Sequence, residues 1–414
     1  MASPASDRKP GENTATWALA VAQLVAWGTV YYAFSLFVVP MEFELGWSRA
    51  STDAALSLGL LVSGLAAYPV GRWIDHGHGR VVLTAGSLLA SVMLVLWSQA
   101  GSLVTLFAAW VGLGIAMAAT LYDPVFAILT RNYPHSFRTK ITLVTLVAGF
   151  ASTVFIPLTQ GLIDYQGWRH ALLSLSVINC CVCLPIHLTA LRDRATTTLG
   201  KGTVKAENDE SVRRALRTPV FWGLAVCFTA YYATFAALTF HLVPLMVERH
   251  VAQPVILATM AVIGPAQVFV RTLWFTVGRN VSPKIVGLTV TSAFPASVVI
   301  LLVAGTSPAA LILFALIYVG ANGMMTILRG TIVQNILWTE GYGAVSGLLS
   351  MPSNIAKGIA PISAAAIWTM TGNYLPVEWA VLGVSLVSAC AFMFVVRSTA
   401  DASRKVAARE RSTL

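Results

Sequence analysis

Apolar residues along this chain gather into long runs, broken by short stretches that collect the charged residues and many of the glycines and prolines. The runs lie at residues 17–39, 55–70, 81–99, 103–129, 141–163 and 171–191, and again at 221–244, 255–277, 286–304, 308–337, 344–370 and 377–396. As α-helices rising about 1.5 Å per residue, they are suited to crossing roughly 30 Å of hydrocarbon. Helix is the expected form, because a span must satisfy its own N–H and C=O groups where no water reaches. The pattern predicts an all-α membrane protein with twelve transmembrane helices.

The two sets of six resemble each other. Val38–Glu44 and Leu242–Glu248, each at the end of the first span of its set, share a valine-proline core and a final glutamate at an offset of 204. Val70-Gly71-Arg72 returns as Val277-Gly278-Arg279, and Val111-Gly112 as Val319-Gly320, with order and spacing kept. Two six-helix pseudo-repeats are predicted, at 1–191 and 219–414, joined by the polar stretch 192–218 as a linker.

Composition agrees with this reading. The chain is 57% hydrophobic and 11% charged, with a mean hydropathy of +0.74, too apolar for soluble domains. The net charge of +10 is mostly loop charge: on a twelve-span topology, 21 of the 27 Lys and Arg fall on the side of the termini. Only Arg49, Arg169 and Arg249 fall on the other. Basic loops stay in the cytoplasm, so both termini and the linker are expected there, in a plasma membrane of the bacterial inner-membrane kind. Dispersed over short loops, these residues give no nucleic-acid face. The first span reads as an uncleaved anchor.

All five cysteines lie inside predicted spans, which argues against a disulfide framework. Cys180, Cys181 and Cys183, with His187 one turn further on, could hold a soft metal ion. Against this, adjacent cysteines on a helix point to different faces, and free cysteine is an ordinary small hydrophobe. No Walker loop, His-Glu-x-x-His or Gly-x-Ser-x-Gly motif is present, so no enzyme, ATP-driven pump or cofactor is expected.

Residues 71–80 read Gly-Arg-Trp-Ile-Asp-His-Gly-His-Gly-Arg between two apolar runs, and so mark a turn at the membrane surface. The stretch resembles the loop between the second and third helices of the major facilitator superfamily, Gly-x-x-x-Asp-Arg-x-Gly-x-Arg. Gly71, Asp75 and Arg80 match, while His76 and His78 stand in place of the usual arginine and glycine. The resemblance implies two six-helix bundles and a gating role for Asp75, Arg72 and Arg80, with the aspartate held near the end of a neighbouring helix. Without it, the stretch would only be a basic loop that fixes orientation.

Charges deep within spans each cost about 2.5–3.5 kcal/mol on insertion scales and persist with a partner, water or a ligand. There are four: Asp123 in the fourth span, Arg271 in the eighth, Arg329 in the tenth and Lys357 in the eleventh. Three cations against one carboxylate favour an anionic substrate, and guanidinium offers a fork that suits carboxylate. An arginine in the eighth span with a lysine in the eleventh resembles the oxalate:formate antiporter and monocarboxylate transporter branch. That resemblance implies that Arg271 and Lys357 bind substrate carboxylate.

Arg329, Tyr31, Tyr32, His241 and Asn354 are further candidates for binding, with Gln23, Tyr231 and Tyr232 as lining. The bland alternatives are backbone-bonded cations, a satisfied histidine at a helix end, and aromatic core. Asp123 is a candidate for gating or coupling. Aligned through the repeat, it lies at the depth of Arg329, which invites pairing across the seam as a gate; the alternative is that each pairs within its own half or with water. The sequence thus predicts a secondary transporter of a small organic anion, proton-coupled or exchanging, acting as a monomer in a lipid bilayer. Export of drugs or metalloids, and a non-transporting receptor or assembly factor of the same fold, are the alternatives.

Overall fold

The computed structural model describes residues 12–191, 201–277, 281–338 and 341–412. The first crossing is α1 (Glu12–Ala26), a π-helical turn (Trp27–Tyr32) and α2 (Phe34–Leu45). Gly46 ends it in the left-handed conformation. Ser48 then caps α3 (Arg49–Trp73), its hydroxyl accepting from the Ser51 N–H at 3.2 Å. A second π turn (Ile74–His78) reverses the chain into α4 (Gly79–Ser98). The reversal sits at Gly77, whose φ of +92° suits glycine.

α5 (Leu103–Thr120) and α6 (Tyr122–Asn132) make the fourth crossing, with one extended residue, Leu121, between them. α7 (Phe137–Ala148) and the first part of α8 (Ala151–Thr189) make the fifth. α8 folds over at Gly167 (φ +77°), and its remainder is the sixth. After α9 (Lys201–Arg217) come α10 (Pro219–Glu248), then α11 (Gln253–Ala261) with α12 (Ile263–Val277), then α13 (Pro283–Ala304). α14 (Pro308–Ile336), α15 (Tyr342–Thr371) and α16 (Leu375–Ser412) complete the set. Nine apolar stretches among the described residues are long enough to span a membrane. Two of them, Arg49–Ser98 and Phe137–Thr189, turn back at Gly77 and Gly167 and cross twice, and α15 supplies the twelfth crossing.

Part of the linker is helical. Residues 192–200 fall outside the described residues, but 201–217 are helical. Ala215 is fully buried and Ser211 nearly so, so α9 is docked rather than free. Arg72 at the end of α3 pairs with Asp209 of α9 at 2.8 Å, and Arg214 stacks over Trp338 at 4.6 Å from its ring centre. The helix therefore touches both sets of spans.

Close helix crossing joins the two sets at the face that holds α9, called the basic face below. A Cβ on Gly71 would lie 2.0 Å from the Gly343 carbonyl oxygen, and one on Gly347 2.5 Å from that of Ala67. Only glycine lets α3 and α15 approach so nearly. Asp75 accepts from the Gly343 N–H at 2.9 Å and the Ala344 N–H at 2.8 Å. It thus caps the first turn of α15, where unpaired amides and the helix dipole favour an anion. Gln334 donates to Thr130, and Arg138 to Asn335, across the same seam.

Among the described residues, the polar ties at the opposite face stay within each set. Glu44 accepts from the Trp168 indole and from Arg169 at 2.9 Å. Glu248, its repeat partner, accepts from the Trp368 indole and the Tyr374 N–H, both at 2.7 Å. Contacts across the seam tie the two sets together at the basic face, and the lining of a central cavity runs toward the other.

Candidate functional site

The central cavity has a volume of about 730 Å³. Its walls come from both sets of spans, with Trp27, Tyr31 and Tyr32 from the first crossing, Tyr122 and Asp123 from the fourth, and Ser152, Thr153, Ile156 and Pro157 from the fifth. The other set contributes Tyr232, Gln267, Arg271, Asn322, Arg329, Asn354 and Lys357. The first-crossing aromatics lie on the π turn, where the extra residue per turn widens the helix and redirects side chains. Trp27 packs on Tyr31 at 5.2 Å and on Tyr122 at 4.8 Å between ring centres, forming an aromatic wall.

Four charged side chains line this space, the three cations and one carboxylate singled out in the sequence. Asp123 and Arg329 do pair, Oδ2 accepting from Nη2 at 3.0 Å. Asp123 stands in the first turn of α6, just past the break at Leu121. Arg329 also donates to the Ser350 hydroxyl, and its guanidinium lies 5.3 Å from the centre of the Tyr232 ring.

Arg271, only 3% exposed, donates from Nη1 to the Thr145 carbonyl at 2.9 Å and from Nε to the Gly323 carbonyl at 3.3 Å. Lys357 donates to the Asn354 side chain at 3.2 Å and sits 4.2 Å from the centre of the Tyr232 ring. Tyr232 therefore presents its π electrons to two cations at once. Neither Arg271 nor Lys357 has an ion-pair partner among the described residues. Once Asp123 is assigned to Arg329, the cavity keeps two cations without a carboxylate.

Tyr31, Tyr32 and Asn354 also line the cavity, as the sequence suggests. His241 does not. Its Nδ1 faces the Tyr374 hydroxyl at 3.0 Å and its Nε2 the Pro361 carbonyl at 2.9 Å, so both nitrogens are engaged near the opposite face. Gln23 donates to the Thr120 carbonyl, and Tyr231 is buried against Phe294, 4.7 Å between centres, so neither is lining. Arg80 forms no ion pair among the described residues.

Sequence reasoning missed Arg131, which donates to the Ile74 carbonyl at 2.7 Å and so holds the 71–80 turn from the end of α6. Its only signal was a cation at the basic end of a span. Cys183 points at the Ala22 carbonyl, 3.5 Å away, and His187 meets the Ser87 hydroxyl at 2.7 Å. Among the described residues, no three His, Cys, Asp or Glu side chains stand together as metal ligands.

Residues 19–361 match the family model of the Major Facilitator Superfamily. Among similar proteins, monocarboxylate transporter 4 of Mus musculus is 25% identical over 352 residues, covering 80% of this chain and 72% of that one. Monocarboxylate transporter 12-B of Danio rerio is 32% identical over 155 residues, covering 36% of this chain and 32% of that one. Among solved structures, the transporter FucP in its outward conformation superposes with a TM-score of 0.73 at 13% identity, covering 92% of this chain and 98% of that one. The human organic anion transporter MFSD10 superposes with a TM-score of 0.70 at 15% identity, over 93% of this chain and all of that one. These two likenesses carry the fold. With the family match spanning most of its length, the chain belongs to the Major Facilitator Superfamily and is a multi-pass membrane transporter of that family's secondary type.

Proposed function

We propose that this transporter carries a small organic anion, a mono- or dicarboxylate, through the central cavity by alternating access. The observation that supports this most is the pair Arg271 and Lys357, two cations that line the cavity from the same set of spans, with Asp123 already committed to Arg329. A bound carboxylate supplies the missing negative charge. It can take two N–H donors of Arg271, a geometry that Lys357 then complements as a point charge. The aromatic wall of Trp27, Tyr31 and Tyr122 suits the apolar body of such a substrate. That several relatives are named monocarboxylate transporters favours the same reading.

Substrate charge supplies a counter-charge that these two cations lack in the cavity, and this favours the occluded state that must form before the halves rock. Asp123 is the carboxylate in the cavity through which proton coupling would run, and anion exchange would need no such carrier. The basic face is the cytoplasmic one by the distribution of Lys and Arg. The protein acts as a monomer in a plasma membrane.

A thermal-shift screen of the purified protein against organic anions, followed by uptake of each hit into proteoliposomes, tests the proposal. Arg271→Ala and Lys357→Ala should each weaken the anion by about tenfold or more, since a charge-assisted bond is worth roughly 1.5–3 kcal/mol. Wild-type affinity in both variants would mean that the anion binds elsewhere. Stabilisation by apolar drugs alone would point to efflux of that class.

A further inference from the structure

The fifth crossing is broken where it passes Arg271. α7 stops at Ala148, Gly149 and Phe150 lie outside the helices, and α8 begins at Ala151. A helix that ends within a membrane span turns its last carbonyls outward and carries partial negative charge at that end. Thr145 is in this last turn. Its carbonyl takes the Gly149 N–H at 3.0 Å and, as a second donor, Nη1 of Arg271 from the other set of spans.

Gly149 makes that second bond possible. Its φ of −60° and ψ of −23° are open to any residue, so glycine is not required there for conformation. A Cβ at this position would lie 2.6 Å from Nη1 of Arg271, nearer than real Cβ atoms come. An arginine end on the surface would simply move away. This one is buried and tied on its far side to the Gly323 carbonyl, so a shift costs it a hydrogen bond.

We propose that Gly149 is a positioning residue for the anion site: its missing side chain lets the carbonyl end of α7 hold the Arg271 guanidinium across the seam in one orientation toward the cavity. The ligand half of this statement rests on the organic-anion reading above, whereas the seat itself does not. The guanidinium keeps further N–H donors for a carboxylate while Nη1 holds the Thr145 carbonyl, so the anion site is linked to the contact between α7 and α12.

The test uses the full-length purified protein with Gly149→Ala, Arg271→Ala and the double variant. It reads thermal midpoints alone and with pyruvate or oxalate as probes. Gly149→Ala should lower the midpoint when Arg271 is present and leave it unchanged in the Arg271→Ala background. It should also raise the half-saturating concentration of the stabilising probe about tenfold, the equivalent of about 1.4 kcal/mol. Equal lowering in both backgrounds overturns the seat, as does wild-type probe affinity in Gly149→Ala. Should Gly149→Ala fail to fold, recovery of folded protein in the double variant supports the seat and its failure overturns it. If neither probe nor any other organic anion stabilises the wild type while the two substitutions still couple, the seat stands and the organic-anion reading falls.

Discussion

Neutralising Asp123 should strand a buried cation. In Asp123→Asn, Arg329 keeps the Ser350 hydroxyl and the Tyr232 ring but loses its carboxylate, and its Nε already lacks a hydrogen-bond partner. Removing one member of a fully buried pair costs about 3–5 kcal/mol, and exposed pairs contribute only about 0–1 kcal/mol. The Arg329 side chain is 10% exposed and that of Asp123 27%, which puts this pair between those limits, at about 2 kcal/mol. Asp123→Asn with Arg329→Gln leaves no charge unpaired, so the double variant should lose less than the sum of its parts. Equilibrium denaturation in detergent micelles of the wild type, both single variants and the double variant closes the cycle. A coupling of about 1–2 kcal/mol is expected, against the roughly 0.5 kcal/mol within which independent sites add. The pair also joins α6 to α14 across the seam, so each single variant should bias the protein toward opening at the basic face. Coupling below the additive limit would falsify the pairing as an energetic link and make Arg329 a candidate substrate cation again.

Three further outcomes are expected from the seam and the topology. Asp75→Asn removes the charge that sits at the N-terminus of α15, costing about 1 kcal/mol, and should raise the reactivity of a cysteine placed at Thr130, which is buried against Gln334 across the seam; unchanged labelling from the basic side would show that the cap does not hold the seam. Gly71→Ala, whose Cβ would meet the Gly343 carbonyl at 2.0 Å, should force α3 from α15 and raise the same labelling further, and wild-type labelling would refute this crossing. A cysteine introduced in α9 should resist membrane-impermeant reagents in intact cells and react in inverted vesicles, whereas labelling from outside would reverse the proposed orientation.

Much of this molecule is legible in its sequence because hydrocarbon imposes strong local rules. A span must be apolar and helical over its own length, so hydropathy alone is enough to count the twelve crossings. A charge inside such a span is costly and therefore conspicuous, which is why Asp123, Arg271, Arg329 and Lys357 stand out from the amino-acid pattern itself. The internal repeat also carries Asp123 and Arg329 to equal depth, which makes their pairing possible, while the structure decides that they pair. Partner choice is another matter. Arg271 bonds a carbonyl 126 residues away, and Asp75 bonds amides 268 and 269 residues away. Both use backbone groups, which no sequence pattern marks. The helix in the linker is hidden for a similar reason, because Ala215 gains its burial from docking on the spans rather than from apolar periodicity. Whether His241 is free or satisfied stays open in the sequence because Tyr374 and Pro361, which engage both its nitrogens, lie more than a hundred residues further along the chain. Local solvation thus decides which residues enter the membrane and how deep they lie, while close packing between distant helices decides which cations are already satisfied and which are left facing the cavity without a counter-charge.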